Sequence, residues 1–295
     1  MLDRHEFRAM GTDVRLMASA GQPGFARAAR AVERVFEQEE RRFSRFRANS
    51  ELSIVNGSAG RWTEVSGGSA ALVAFALEAA ARTRGRFDPT VLPALVAAGY
   101  DRDFDEVFAG ARDALRPPTP CGRWREIRLE GRRLRMPAGV GLDLGGVAKG
   151  WTVDLAARAA IRRGLPWAVV NAGGDLRIEG EPPPPGIEVT VDDPERPGAE
   201  AGRLRLTSGA LATSSVTRRA WGLGLHHLID PATGRPSDGP VLQATVWAPS
   251  CAEAEIASKT ALLEGEPYLD RAAAMLVLRD GRILTSFATS EDAAA

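Results

Sequence analysis

The sequence predicts an α+β fold of mixed sheets with helices, and three observations carry that expectation. Apolar residues recur at helical spacing in long stretches, of which 24–43 and 65–84 are the clearest. Between them lie short apolar or alternating runs bounded by Gly, Pro, Asn and Asp, the pattern of strands. The two kinds of element mix without strict strand–helix–strand alternation, which disfavours an all-parallel sheet.

Composition narrows the function classes. The chain has 295 residues, 44% hydrophobic and 26% charged, within the range of ordinary globular proteins. No repeat divides it, so one unit over 1–295 is expected, frayed from about residue 287. The 38 basic and 38 acidic residues cancel, which argues against a nucleic-acid partner held by charge. Cys121 and Cys251 form no metal or redox spacing and read as free thiols in a reducing compartment. The first residues, MLDRHEFRAMG, lack an apolar run. Neither a signal peptide nor a membrane span is expected, and the cytoplasm is the default location.

The elements follow in order. Residues 7–18 alternate as a first strand with Met10-Gly11-Thr12 inside it, and 24–43 is a helix with Phe25, Ala28, Val32, Val35 and Phe36 on one face. Ser50 is placed to cap a short helix beginning at Glu51. The helix over 65–84 stops at Gly85. A loop and apolar segment span 85–100, a charged, proline-tipped surface stretch spans 101–120, and a hairpin over 124–136 turns at Glu130-Gly131. A buried strand ends at 142–144 and a helix runs from about Val147 to Arg163. Strands follow at 167–171, before Gly180, at 187–191 and 203–206, at 210–214 and at 243–248. A helix over 252–263 and a hairpin turning at Asp280-Gly281 complete the pattern.

Chemistry concentrates in five turns. Gly145-Gly146 followed by a helix carrying Lys149 in its first turn and Asp154 beyond it suits a phosphate: amide N–H groups, helix dipole and ammonium converge. It is neither a Walker A loop nor a GxGxxG fingerprint, and a tight turn with a solvated lysine is the plain alternative. Arg86-Phe87-Asp88-Pro89-Thr90, Asn171 to Asp175 with Gly173-Gly174, the strand-end Thr213 and the segment HHLIDPATG at 226–234 add carboxylates, hydroxyls and two adjacent histidines. The inventory suits a phosphorylated ligand with help from Mg²⁺. Asp88 and Asp230 serve equally well as turn acids, and the paired glycines as packing residues. His227, beside an acid–proline turn, is the candidate general base.

Taken in order, MGT at Met10, FSRF, SEL with a following Asn, GRFDPTV, DLGGVAKGWTVD, VNAGGD, LATSS and HHLIDPATGRP resemble the ApbE-type FAD:protein FMN transferases from Met10 to about Gly265. The resemblance implies two lobes around a central FAD cleft with Mg²⁺ near the diphosphate. It also implies transfer of the FMN half of FAD to a threonine hydroxyl of an acceptor flavoprotein, with release of AMP. By the same resemblance Met10, Phe46, Arg86, Phe87, Asp88, Lys149, Asp154, Gly173, Gly174, Thr213 and His227 bind the flavin nucleotide, and His227 and Asp230 are the catalytic candidates. The metal candidates are the Ala148 carbonyl, Glu255 and Thr260.

The departures matter as much. Where the family carries an aspartate and, four residues on, a threonine, this chain has Glu255 and Lys259, with Thr260 about 100° further around the helix. Glu255 and Lys259 are spaced as an i,i+4 ion pair. Either Glu255, the Ala148 carbonyl and the FAD phosphates retain Mg²⁺, or the Lys259 ammonium stands near the diphosphate and weakens metal binding. An FAD pyrophosphatase yielding FMN and AMP, and a non-catalytic FAD-binding protein, are the alternative functions.

Overall fold

The computed structural model describes residues 1–58, 60–109, 117–222 and 224–287. The expected frayed tail, apart from residue 287, and part of the charged stretch at 101–120 lie outside them. The first strand is in fact two, β1 (Leu2–Ala9) and β2 (Thr12–Ser19), paired antiparallel with Ala9 opposite Thr12. Met10 and Gly11 form the two-residue turn, with φ of 50° and 68°. Two left-handed residues are what a tight hairpin needs, and a methionine gives no warning of that role.

Helix α1 (Phe25–Phe43) buries Ala28, Val32 and Phe36 as its spacing requires. The short α2 (Glu51–Asn56) is capped by Ser50, whose side chain accepts the Ser53 N–H at 3.0 Å. After β3 (Trp62–Glu64), Ser66 caps α3 (Gly67–Arg82). The expected helix over 65–84 is thus trimmed at both ends. Helices α4 (Leu92–Ala97) and α5 (Phe104–Ala109) follow, then β4 (Arg128–Glu130) and β5 (Arg133–Arg135), which join β3 in a small sheet. Trp124 lies in a 3-10 turn at Arg123–Glu126, so the hairpin is shorter than expected.

The strand expected at 142–144 is absent. Leu142 is buried and its backbone is fully paired, but the partner is a side chain: Asn56 accepts the Leu142 N–H at 2.8 Å and donates to its carbonyl at 2.9 Å. An amide side chain thus replaces a strand neighbour.

Helix α6 (Ala148–Arg162) leads into a hairpin of β6 (Trp167–Ala172) and β7 (Asp175–Gly180). Next come β8 (Ile187–Asp192), β9 (Glu200–Leu206) and β10 (Gly209–Ser215), then four two-residue strands, β11 (Ala220–Trp221), β12 (Leu225–His226), β13 (Ile229–Asp230) and β14 (Arg235–Pro236). Strand β15 (Val241–Ala248), helix α7 (Cys251–Glu264), β16 (Ala274–Leu278) and β17 (Ile283–Thr285) complete the chain.

The main sheet is antiparallel in the order β1-β2-β6-β7-β10-β15-β16-β17. One face of β6, with Ala168, Val170 and Ala172, packs on α1 and α6. Its other face, with Trp167 and Val169, packs under the β8–β9 hairpin through Val191, Leu204 and Leu206. Both faces are covered, which explains why β6 reads as an unbroken apolar run. A second core gathers α2, α3, the small sheet, Leu142 and Leu144, and receives Ala252 and Ile256 from α7. Helix α7 therefore belongs to both cores.

Candidate active site

The residues of these two cores meet around a cleft of about 210 Å³. Its floor is the start of α6 and the side of α7; its walls are the chain after α1, the stretch from Arg86 to Phe104, and residues 227–231.

The floor is a fixed array of charge. Lys149 and Lys259 both line the cleft, whereas Glu255 and Asp175 are 2% and 1% exposed and lie beneath them. Lys259 Nζ is 3.2 Å from Glu255 Oε1, and Lys149 Nζ is 3.8 Å from the same oxygen and in close contact with Asp175. Glu255 Oε2 accepts the Gly150 N–H at 2.8 Å. Burial raises the carboxyl pKa of Glu255, but Lys259, Lys149 and the Gly150 N–H together bring it below its ordinary value. Burial draws the Lys149 ammonium down to about 8 against the pull of Glu255.

Three local features hold this array. A Cβ on Gly146 would stand 3.1 Å from Lys259 Cε and 3.2 Å from Phe87 Cε2, so the glycine makes room for the lysine stem. A Cβ on Gly150 would stand 2.5 Å from the Cys251 carbonyl oxygen, so only glycine lets α6 approach the start of α7. Asp154 completes that junction: it accepts the Cys251 and Ala252 N–H groups at 2.9 and 3.0 Å, satisfying two free amides at the α7 N-terminus.

The wall opposite is aromatic around a buried ion pair. Arg45 Nε is 2.9 Å from Asp143 Oδ2, with side chains only 8% and 11% exposed. Arg45 also donates to the Tyr100 carbonyl at 2.8 Å, and its guanidinium lies 4.3 Å from the ring centres of both Phe46 and Tyr100. Phe87, Leu95 and Phe104 extend the apolar surface. Asp88 props this wall from behind. One carboxylate oxygen accepts the Thr90 N–H and hydroxyl at 2.7 and 2.6 Å, and the other accepts the Gly122 N–H at 2.5 Å. Cys121, near Asp88, has its thiol pushed up to about 12 by burial and is not a nucleophile.

The two histidines divide. His226 is buried, with Nε2 2.9 Å from the Ser237 carbonyl and Nδ1 accepting the Leu228 N–H at 3.3 Å. His227 lines the cleft, and its buried Nδ1 has no partner among the described residues. Burial, then Arg219, Lys259 and His226, hold the His227 pKa well below its ordinary value, so the imidazole is neutral. Arg219 and Arg86 bring two guanidinium groups to the cleft that form no ion pair among the described residues.

A family model described as the ApbE family matches residues 10–279. The chain belongs to the ApbE family. It is 33% identical over 261 residues to the FAD:protein FMN transferase of Rhodobacter capsulatus; the match covers 83% of this chain and 49% of that protein, so the chain spans about half of that relative's length. A relative of the same name from Chlamydia trachomatis is 30% identical over 250 residues, 81% of this chain and 76% of the relative. Among solved structures, the ApbE protein of Thermotoga maritima matches with a TM-score of 0.85 at 27% identity, over 97% of both chains. The flavin transferase ApbE of Vibrio cholerae shares the fold, with a TM-score of 0.82 at 22% identity over 99% of this chain and 98% of that one.

Of the residues singled out from the sequence, Met10, Phe46, Arg86, Phe87, Asp88, Ala148, Lys149 and His227 converge on the cleft of this ApbE-family fold. The others do not line it. Asp154 spends its carboxylate on the start of α7. Gly173 and Gly174 form the β6–β7 turn, with φ of 60° and 100°, and so set Asp175 beneath Lys149. Thr213 shares its hydroxyl with Thr245 at 2.9 Å within the sheet. Asp230 accepts the Ala232 N–H at 2.9 Å and lines a separate groove. Arg45, Tyr100 and Arg219 were not among the candidates, and Asp175 entered only as the acid of its turn. An arginine flanked by aromatics in FSRF, and the acid ending VNAGGD, were the available signals.

The metal candidates do not assemble into a site. Thr260 donates its hydroxyl to the Ile256 carbonyl at 2.9 Å and faces the separate groove. The Ala148 carbonyl accepts the Thr152 hydroxyl at 2.7 Å. Glu255 has one oxygen on an amide and the other faced by two ammonium groups. No cluster of three or more His, Cys, Asp or Glu suited to a metal occurs among the described residues. A hard cation wants several free oxygen donors, and these residues do not offer them.

Proposed function

We propose that this chain transfers the FMN half of FAD to a threonine hydroxyl of an acceptor flavoprotein, releasing AMP. One observation carries the reading above all: two anchored ammonium groups and a neutral imidazole, whose Nδ1 has no partner among the described residues, open onto one aromatic-walled cleft. The names of the relatives support it.

The chemistry follows from the side chains. The flavin ring suits the apolar wall of Phe46, Phe87 and Tyr100, and the diphosphate suits the floor of Lys149 and Lys259. The threonine oxygen attacks the FMN-side phosphorus. The bond from that phosphorus to the bridging oxygen breaks, and AMP departs with the bridging oxygen and its electron pair. His227, neutral by burial, accepts the hydroxyl proton. Charge gathering on the leaving phosphate is met by ammonium groups already in place, which limits reorganisation. Asp230 acts as a turn acid that shapes the segment after His227. The magnesium expected from the sequence finds no protein ligand set here, and no step is assigned to it.

A single ApbE-like unit working in the cytoplasm is part of the same proposal. Cys121 and Cys251 are free thiols, and no described helix is long and apolar enough to cross a membrane.

The test is incubation of the chain with FAD and a candidate acceptor, following AMP and the acceptor's mass. AMP release together with an FMN adduct on a threonine is the expected result. FAD turnover to FMN and AMP at the same rate without acceptor would replace transfer by hydrolysis.

A further inference from the structure

We infer that Lys259, together with Lys149, occupies the place of a divalent cation in this chain, so that the FAD diphosphate is held by two ammonium groups without a metal; the inference rests on the flavin reading above.

Four observations lead there. The two lysines line the cleft while their carboxylates, Glu255 and Asp175, are 2% and 1% exposed behind them, so positive charge faces the ligand and negative charge faces the protein. Both oxygens of Glu255 are engaged, one by the Gly150 N–H at 2.8 Å and one by Lys259 at 3.2 Å, so this carboxylate does not reach past the lysine to an ion. The Lys259 stem runs through the space left by the missing side chain of Gly146 and beside Phe87, so the fold leaves room for it there. Finally, the Lys149 amide at the start of α6 has no acceptor among the described residues, which leaves an N–H beside the ammonium groups for an anion.

An ammonium supplies one charge and three donors where a divalent ion supplies two charges and several coordination positions. Two lysines on one helix-junction floor match the ion's charge. They bind phosphate oxygens by charge-assisted hydrogen bonds, and FAD affinity then depends on the lysines and not on dissolved Mg²⁺.

The experiment measures binding by quenching of flavin fluorescence, with the full chain in EDTA and then in Mg²⁺. For the native chain, FAD affinity should agree within about twofold between the two buffers. Lys259→Met should weaken FAD at least about tenfold in both buffers while leaving riboflavin, which has no phosphate, unchanged, as loss of a charge-assisted contact requires. Lys259→Thr should be as weak in EDTA, and Mg²⁺ should restore it in part, because Glu255 is then released. Thermal melts establish that each variant is folded, and the native comparison stands even if a variant is not. Native FAD binding that collapses in EDTA, or Lys259→Met binding FAD as tightly as the native chain, overturns the inference and leaves the flavin reading intact. Absence of FAD binding in both buffers overturns the flavin reading itself.

Discussion

His226 and His227 are neighbours in the chain with opposite circumstances: the first spends both ring nitrogens on the backbone of Ser237 and Leu228, while the second reaches the cleft with a buried Nδ1 that has no hydrogen-bond partner among the described residues. His227→Gln is therefore expected to lower the transfer rate by roughly 10²- to 10⁴-fold with FAD affinity little changed. Single-turnover AMP release and flavin quenching measure the two quantities separately. Equal losses in both would mean that His227 binds rather than accepts a proton.

The same pair gives a pH dependence. Burial depresses both histidines below the ordinary 6.5, so His227 remains neutral at that pH and the acid limb of the transfer rate should begin only in more acid solution, while the alkaline limb belongs to the Lys149 ammonium. Stability follows the same sign. Between the folded values and 6.5 the unfolded histidines bind more protons, so their contribution to stability is full above 6.5 and declines as pH falls through that window. An acid limb that already falls at or above 6.5 contradicts the assignment.

Arg45 and Asp143 test the aromatic wall. Arg45→Met leaves the Asp143 carboxylate buried without its ion-pair partner and removes the bond to the Tyr100 carbonyl. The expected loss is roughly 3–5 kcal/mol of unfolding free energy in urea. Arg45→Lys should recover little, since a point charge cannot lie over both Phe46 and Tyr100 while serving the Asp143 and Tyr100 oxygens. A full rescue by lysine would show that charge alone matters.

Asp154 is expected to matter for folding more than for ligand contact. Asp154→Ala removes the acceptor for two buried N–H groups at the head of α7, at a cost of roughly 2–4 kcal/mol. Chemical denaturation measures it, and a change under about 0.5 kcal/mol would refute the role.

Gly146→Val probes the channel for the Lys259 stem. The new Cβ meets Lys259 Cε at 3.1 Å and Phe87 Cε2 at 3.2 Å, and the added methyl groups deepen the crowding. Overpacking of about 1–3 kcal/mol is expected. Displacement of the ammonium should weaken FAD by about tenfold or more. Unchanged FAD affinity in a folded variant would show that the stem has another route.

The helices were legible because their signals are local: apolar spacing in α1, a serine cap before Glu51 and a glycine just beyond α3 are all read within a few residues. The errors arose where a distant or unusual partner replaced the local one. Leu142 has a strand's apolar character but is paired by the side chain of Asn56, 86 residues away. Met10 takes a left-handed turn position that its type rarely adopts. In the site, the Glu255–Lys259 pair was visible as an i,i+4 spacing and is present at 3.2 Å. Arg219 and Tyr100 carry no motif, and only folding brings them to His227 and Arg45. Asp154 sat in a recognisable motif, but which way a carboxylate turns from a helix depends on the neighbouring helix, here the start of α7.

The Gly150–Cys251 approach has a mechanical consequence. With no side chain between them, and with Asp154 bridging the same junction, α6 and α7 are coupled as one stiff plate that carries both lysines. The opposite side of the cleft has no such brace: Arg45, Tyr100 and Phe104 sit there on short helices and connecting segments.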